Sequence, residues 1–241
     1  MAYTTINKST DYFRTKLYTG NGSARSITFD ESSNMQPDFT WLKSRDHGYD
    51  HRLLDVVRGA TKELNSNTTN AENTNTGSLT SFNTNGFSLG TGNGVNNPAP
   101  KIYASWNWKA NGAGSANTAG DINSTVSVNT TSGFSIVSYT GTGSASTIGH
   151  GLNSVPKIVF YKNLVNGSEN WFVYSSKVGA TKYLQLSTTV AQTTSAGYFN
   201  NTDPTSSLLN VGTANGTNGS GNSMIAYCFA EKQGYSKFGS Y

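Results

Sequence analysis

Charge, cysteine and long apolar runs are all scarce in this chain. Only 12% of its 241 residues are charged, and glutamate occurs five times. Helical bundles are built largely from Ala, Leu, Glu, Lys and Arg, so this composition argues against one. The lone cysteine, Cys228, excludes an internal disulfide. It sits in the apolar run 224–230 and reads as a small packed hydrophobe rather than a nucleophile. No stretch of about eighteen apolar residues exists, so no membrane insertion is expected. The opening Met1-Ala-Tyr-Thr-Thr-Ile-Asn7 lacks the apolar core of a signal peptide, and synthesis in a cytoplasm is expected. Basic residues outnumber acidic ones 17 to 13. The lysines are scattered, however, and all five arginines lie between Arg14 and Arg58. Nucleic-acid binders cluster their positive charge, so nucleic acid is not an expected partner.

What is present is polar and small. The chain holds 28 Asn, 31 Ser, 31 Thr and 26 Gly, nearly half of the total. Yet it also carries 13 Tyr, 11 Phe and 4 Trp, more than a disordered chain would hold. Aromatic and β-branched residues among Ser, Thr, Asn and Gly predict an all-β protein with many turns.

The chain also resembles itself. Tyr18-Thr-Gly-Asn-Gly-Ser-Ala-Arg-Ser-Ile27 matches Tyr139-Thr-Gly-Thr-Gly-Ser-Ala-Ser-Thr-Ile148 at seven of ten places, offset by 121. Pro37–Lys43 lines up with Pro156–Lys162, Gly59–Leu64 with Gly179–Leu184, and Gly90–Gly94 with Gly212–Gly216. Tyr103–Trp108 lines up with Ile225–Ala230, and the offsets drift by only three residues along the series. Such order predicts two tandem β-sandwich repeats, jelly-roll or lectin-like. The expected plan is an N-terminal arm over 1–12, repeat 1 over 13–110, a polar linker over 111–132 and repeat 2 over 133–234. Residues 235–241 resemble the opening strand of a third repeat, with Phe238 and Tyr241 as candidate assembly residues. Asn-Gly pairs at 21–22, 85–86, 93–94, 111–112, 166–167 and 215–216 predict turns with positive φ. Arg52–Arg58 fits either a helical turn or a strand ending at Gly59.

Several segments carry a family resemblance. Tyr-Thr-Gly-Asn-Gly-Ser occupies 18–23 and Pro-Asp-Phe-Thr-Trp-Leu-Lys-Ser-Arg occupies 37–45. Asp-Val-Val-Arg-Gly-Ala-Thr-Lys-Glu-Leu-Asn-Ser-Asn-Thr-Thr-Asn-Ala-Glu spans 55–72. Phe-Asn-Thr-Asn-Gly-Phe-Ser-Leu-Gly occupies 82–90, and Gly-Tyr-Ser-Lys-Phe-Gly-Ser-Tyr closes the chain at 234–241. Together they resemble a repeat found in virion structural and tail-fibre proteins of marine tailed phages, of the cyanophage and pelagiphage type. The resemblance extends over all but the N-terminal arm. It implies a structural protein, in some relatives lectin-like, and brings no catalytic residues.

Candidate chemistry is sparse. In Arg45-Asp-His-Gly-Tyr-Asp-His-Arg52, the side chains of His47, Asp50 and His51 together offer metal ligands. The second repeat replaces this segment with Asn163-Leu-Val-Asn-Gly-Ser-Glu-Asn170, so a solvated loop is the competing reading. Asp30 and Glu31 are adjacent, and on a strand they point to opposite faces, unlike the paired acids of a glycosidase. No catalytic residue is assigned and no cofactor is implied. Trp41, Trp106, Trp108 and Trp171 lie on or beside expected strands. Exposed, they form a stacking platform for a sugar; buried, they are core.

The expected function is therefore that of a non-enzymatic structural component on the outside of a tailed-phage virion, as a fibre or adhesin or as a head-bound capsid decoration. The alternatives are a carbohydrate-binding host-recognition module and a polysaccharide depolymerase. Expected partners are other virion proteins, further copies of the chain (a homotrimer would suit a fibre) and a host surface glycan.

Overall fold

The structure, a computed structural model, describes residues 4–240. It is built of antiparallel β-sheets and divides into two compact units. The N-terminal unit comprises Lys8–Thr68 and Glu72–Ala113. It holds β1 (Phe13–Thr19), β2 (Arg25–Thr28), β3 (Phe39–Ser44), β4 (Arg52–Asp55), β5 (Lys62–Asn65), β6 (Asn73–Thr74), β7 (Leu79–Asn83), β8 (Gly86–Leu89) and β9 (Ile102–Trp108). One sheet runs β1-β9-β3-β4-β5-β6 and a second β2-β8-β7. Side chains alternate across each strand, so one face of each sheet carries the apolar set. Tyr18, Leu42, Leu54 and Tyr103 from the first sheet meet Ile27, Phe87, Leu89 and Leu79 from the second in one buried cluster. That packing is a β-sandwich. Arg52–Asp55 is a strand and not a helical turn, and Gly59 ends the segment at φ +100°.

The C-terminal unit begins at Gly114 and takes in the stretch up to Asn7 and the tripeptide Thr69–Ala71. It holds β10 (Ser115–Asn117), β11 (Ser124–Asn129), β12 (Phe134–Thr140), β13 (Ser146–Gly149), β14 (Ile158–Asn163), β15 (Phe172–Ser175), β16 (Lys182–Gln185) and β17 (Thr193–Thr194). A helical turn α1 (Ala196–Phe199), β18 (Leu208–Val211), a second turn α2 (Asn215–Asn218) and β19 (Ser223–Phe229) complete it. The large sheet runs β10-β11-β12-β19-β14-β15-β16-β17, and β13 pairs β18. From β12 onward this repeats the order of the N-terminal sheet, with α1 in the place of β7. The central strand β19 is buried along most of its length, as its nearly continuous apolar sequence demands.

Hydrogen bonds repeat as well as strands. Tyr18 Oη donates to Val95 O at 2.6 Å, and Tyr139 Oη donates to Thr217 O at 2.5 Å. Asn96 Nδ2 donates to Ser23 O and Gly90 O at 2.6 and 3.0 Å, while its Oδ1 accepts from Asn21 N at 3.2 Å. Asn218 Nδ2 donates to Ser144 O and Gly212 O at 2.7 and 2.8 Å, while its Oδ1 accepts from Thr142 N at 2.8 Å. The main-chain oxygen of each Asn accepts from a glycine amide, Gly22 or Gly143. Both Asn side chains are fully buried. The first glycine of each Tyr-Thr-Gly motif lies against this latch. A Cβ on Gly20 would fall 2.5 Å from Asn96 O, and one on Gly141 2.3 Å from Gly219 O. No side chain fits there.

Four expectations need correction. Residues 111–132 are not a linker. Ser124-Thr-Val-Ser-Val-Asn129 alternates with the period of a strand, and it pairs with β12 over six residues. Its Val126, together with Ile122, is buried in the core of the C-terminal unit. Residues 235–240 form no strand. Lys232 and Ser236 close a turn through Gly234, at φ +75°. Tyr241 lies outside the described residues. The described part of the arm is folded: Ile6 is buried, Thr4 Oγ1 donates to Gln233 O at 2.6 Å, and Ser9–Asp11 is a 3-10 turn. Finally, two of the Asn-Gly pairs are not positive-φ turns: Asn215-Gly216 opens α2, and Gly167 is not at positive φ.

The latch sets a testable expectation. Replacing Asn96 or Asn218 by Ala strands one amide and two carbonyls and should destabilise the unit concerned by about 3 kcal/mol. The exposed Asn34→Ala serves as the neutral control. Urea denaturation checks it, and an effect confined to one of the two sites would refute the equivalence.

Candidate functional site

The strands of the N-terminal sheet decide where the tryptophans go. On β9, Tyr103, Ser105 and Asn107 are buried on the core side, which places Ile102, Ala104, Trp106 and Trp108 on the opposite face. Trp108 packs there between Phe13 and Phe39, with ring centroids 4.8 and 5.2 Å away. Trp106 stands opposite Trp41 on β3 and Thr15 on β1, and it is 36% exposed. Leu17 and Ile102, on the same face, are 60% and 40% exposed. Trp171 is buried completely and stacks on Tyr227 at 6.3 Å. Of the four candidates, only Trp41 and Trp106 form a cross-strand pair with solvent-facing surface. Indoles at opposed positions on neighbouring strands offer aromatic area against which a sugar ring can stack.

The histidine segment forms the β3–β4 loop. His47 is exposed and stacks on Tyr49 at 4.2 Å. Asp50 Oδ1 accepts from Asn67 Nδ2 at 2.8 Å, and Asn67 Oδ1 accepts from the His51 amide at 2.9 Å. Burial, helped by Lys43, lowers the pKa of His51. Among the described residues no three His, Cys, Asp or Glu side chains gather as a metal site, and His47, Asp50 and His51 are not brought together. Asp30 is spent on Lys16, and Glu31 lies 3.2 Å from Arg14. Cys228 is buried, and burial raises its thiol to about 12, so it stays protonated at neutral pH.

Lysine organises the β3–β4 loop instead. Lys43 Nζ donates to His47 O and Tyr49 O at 3.0 and 2.9 Å. Its counterpart Lys162 is fully buried and donates to Thr69 O and Glu169 O at 2.7 and 2.6 Å. Arginine does the same elsewhere. Arg14, also buried, bonds Thr10 O, Ser33 O and Asn85 Oδ1. Arg58 ties Asp55, Glu72 and the carbonyls of Lys62 and Leu53 together. These residues were not singled out in the sequence. The aligned Pro37–Lys43 and Pro156–Lys162 segments did contain the signal for the lysine pair.

The expected assembly residue Phe238 is fixed by its own chain. Its amide donates to Glu231 Oε1 at 3.0 Å, and its ring lies 6.3 Å from that of Phe229. The turn Glu231–Lys237 borders a recess of 470 Å³.

Desolvation pulls the pKa of Lys162 from 10.5 to about 8. Below pH 8 both folded and unfolded chains hold the proton. Between about 8 and 10.5 only the unfolded chain does, so stability due to this residue rises with pH through that window. The stability of the wild type minus that of Lys162→Met should therefore grow by about 1–2 kcal/mol from pH 7.5 to 9.5. A flat difference in denaturant titrations would contradict it.

No curated protein matches the chain, and no solved structure does. A single family match runs across both units, from residue 8 to residue 241. The chain belongs to the family described as a domain of unknown function, DUF7483.

Proposed function

We propose that the chain is a non-enzymatic structural component displayed on the exterior of a tailed-phage virion, as a fibre or adhesin or as a capsid decoration. The observation that carries this reading is where the polar side chains are used. Asn96 and Asn218, Lys43 and Lys162, and Arg14 and Arg58 all bond main-chain carbonyls of their own chain. A chain that commits its buried polar groups to fixing its own loops makes a stiff scaffold with a hydroxyl- and amide-rich surface. The resemblance of its long motifs to a repeat of marine tailed-phage virion proteins supports the same reading. Attachment then depends on shape, sheet edges and repeated weak contacts, which gain strength through multiplicity.

A second reading concerns the same particle. The exposed Trp106, opposite the half-buried Trp41, favours a host surface glycan as a partner, which would make the protein a lectin-like adhesin.

Two measurements test these readings. Purified particles should contain the chain, located on the tail or the head by antibody labelling and quantified against the major shell protein. Its absence from particles refutes the structural reading. In a saccharide screen by thermal shift, any stabilising glycan should lose about five- to thirtyfold in affinity with Trp106→Ala. Aromatic stacking worth about 1–2 kcal/mol predicts that loss. Undiminished binding by that variant would remove the indole pair from the site.

A further inference from the structure

Sheet edges are the fold's exposed hydrogen-bonding groups, and proteins shorten, bulge or cover them. Most edge strands here follow that rule. β6 and β17 have two residues each, β10 has three, β2 has four, and β7 carries a bulge between Leu79 and Ser81. β1 is different. It is seven residues long, regular, and bonded on one side only, to β9.

The register tells which groups are free. Lys109 N donates to Tyr12 O and Gly20 N to Lys101 O, so the even-numbered residues of β1 exchange their bonds with β9. The amides and carbonyls of Phe13, Thr15, Leu17 and Thr19 point the other way. Only Thr19 O has a partner there among the described residues, the exposed guanidinium of Arg25 at 3.0 Å. The C-terminal unit shows what this edge accepts. The counterpart of β1 is β12, and its outward-facing positions Phe134, Ile136 and Ser138 are paired by the antiparallel strand β11. The N-terminal unit has no such strand. Beside the open edge lie Leu17, Ile102 and Trp106, three of the most exposed large hydrophobic side chains of the chain.

We propose that the open edge of β1 is a self-association surface, on which β1 of a second copy adds antiparallel about a two-fold axis at Leu17. Three registers bring the free groups face to face near the middle of the strand. Centring on Thr15 sets Arg14 against Lys16 of the other copy, and centring on Lys16 opposes two lysines. Centring on Leu17 opposes no like charges. It sets Leu17 against Leu17, Thr15 against Thr19 and Lys16 against Tyr18, and apolar and Thr–Thr pairs across strands are favourable. The two exposed apolar patches then become continuous across the axis. This inference names a dimer interface in place of the trimer expected for a fibre, and it stands without the virion reading.

The test is the mass of the intact chain in solution by sedimentation and light scattering. The wild type should run at twice its 25.7 kDa at tens of micromolar. Leu17→Pro removes an outward amide that bonds nothing among the described residues, so it should give a folded monomer with an unchanged β spectrum. Leu17→Lys, which opposes two cations at the axis, should also be monomeric. Leu17→Cys should oxidise to a covalent dimer, because the bonded pair at the axis places the two Cα atoms about 5.5 Å apart. Thr15→Cys should not. A monomeric wild type, a trimer, or a dimer that survives both Leu17→Pro and Leu17→Lys would overturn the proposal.

Discussion

A buried asparagine at the end of each unit sets the geometry that the rest of the fold follows. The first loop of each unit leaves its opening strand at a Tyr-Thr-Gly motif and must return across the mouth of the sandwich. Asn96 or Asn218 holds it there through two donors and an acceptor, and only a carboxamide can supply both. The adjacent tyrosine hydroxyl seals the same corner. Burial raises the pKa of Tyr18 and Tyr139 far beyond the physiological range, so both remain donors at any ordinary pH. The glycine that follows must be glycine because the latch backbone occupies the space of its Cβ. With this corner fixed, β2 and β13 start in register over the large sheet, and the core closes beneath them.

Around that shared corner the two units use different chemistry for the same task. In the N-terminal unit, Arg52 on β4 pairs with Glu63 on β5, and Asn75 supports Glu63. The corresponding strands of the C-terminal unit place Phe172 against Tyr183, with ring centroids 5.4 Å apart, and Tyr198 stacks on Phe172 at 4.2 Å. A buried ion pair and a well-packed apolar cluster of similar volume are close in free energy, so such an exchange leaves the fold intact. The sheet edge diverges in the same way. β12 is covered by a strand that precedes it in the chain, while the described residues before β1 form no strand.

Much of the fold was legible because segments of the chain recur in the same order. The aromatic and β-branched content in a Ser-, Thr-, Asn- and Gly-rich chain pointed to the all-β class, and the repeat offsets lined up β3 with β14 and β9 with β19. The linker reading failed at 111–132 because composition outweighed pattern. Val126 and Val128 are two apolar residues in a polar stretch, and their alternation was the true signal. The tryptophans were found but not sorted. Burial of Trp171 and exposure of Trp106 depend on which face of the sheet each occupies, and a single strand does not reveal that. The lysine and asparagine latches carried a recurrent offset and no chemical motif, so they passed as ordinary polar residues.

The same latch serves both units. Hydrogen–deuterium exchange measures it directly at the amides of Asn21, Gly22, Thr142 and Gly143, which bond Asn96 or Asn218 although they lie in surface loops. Protection at all four should be comparable to that of the central strands β9 and β19. Exchange at the rate of an unbonded loop glycine such as Gly48, at either asparagine, would contradict it.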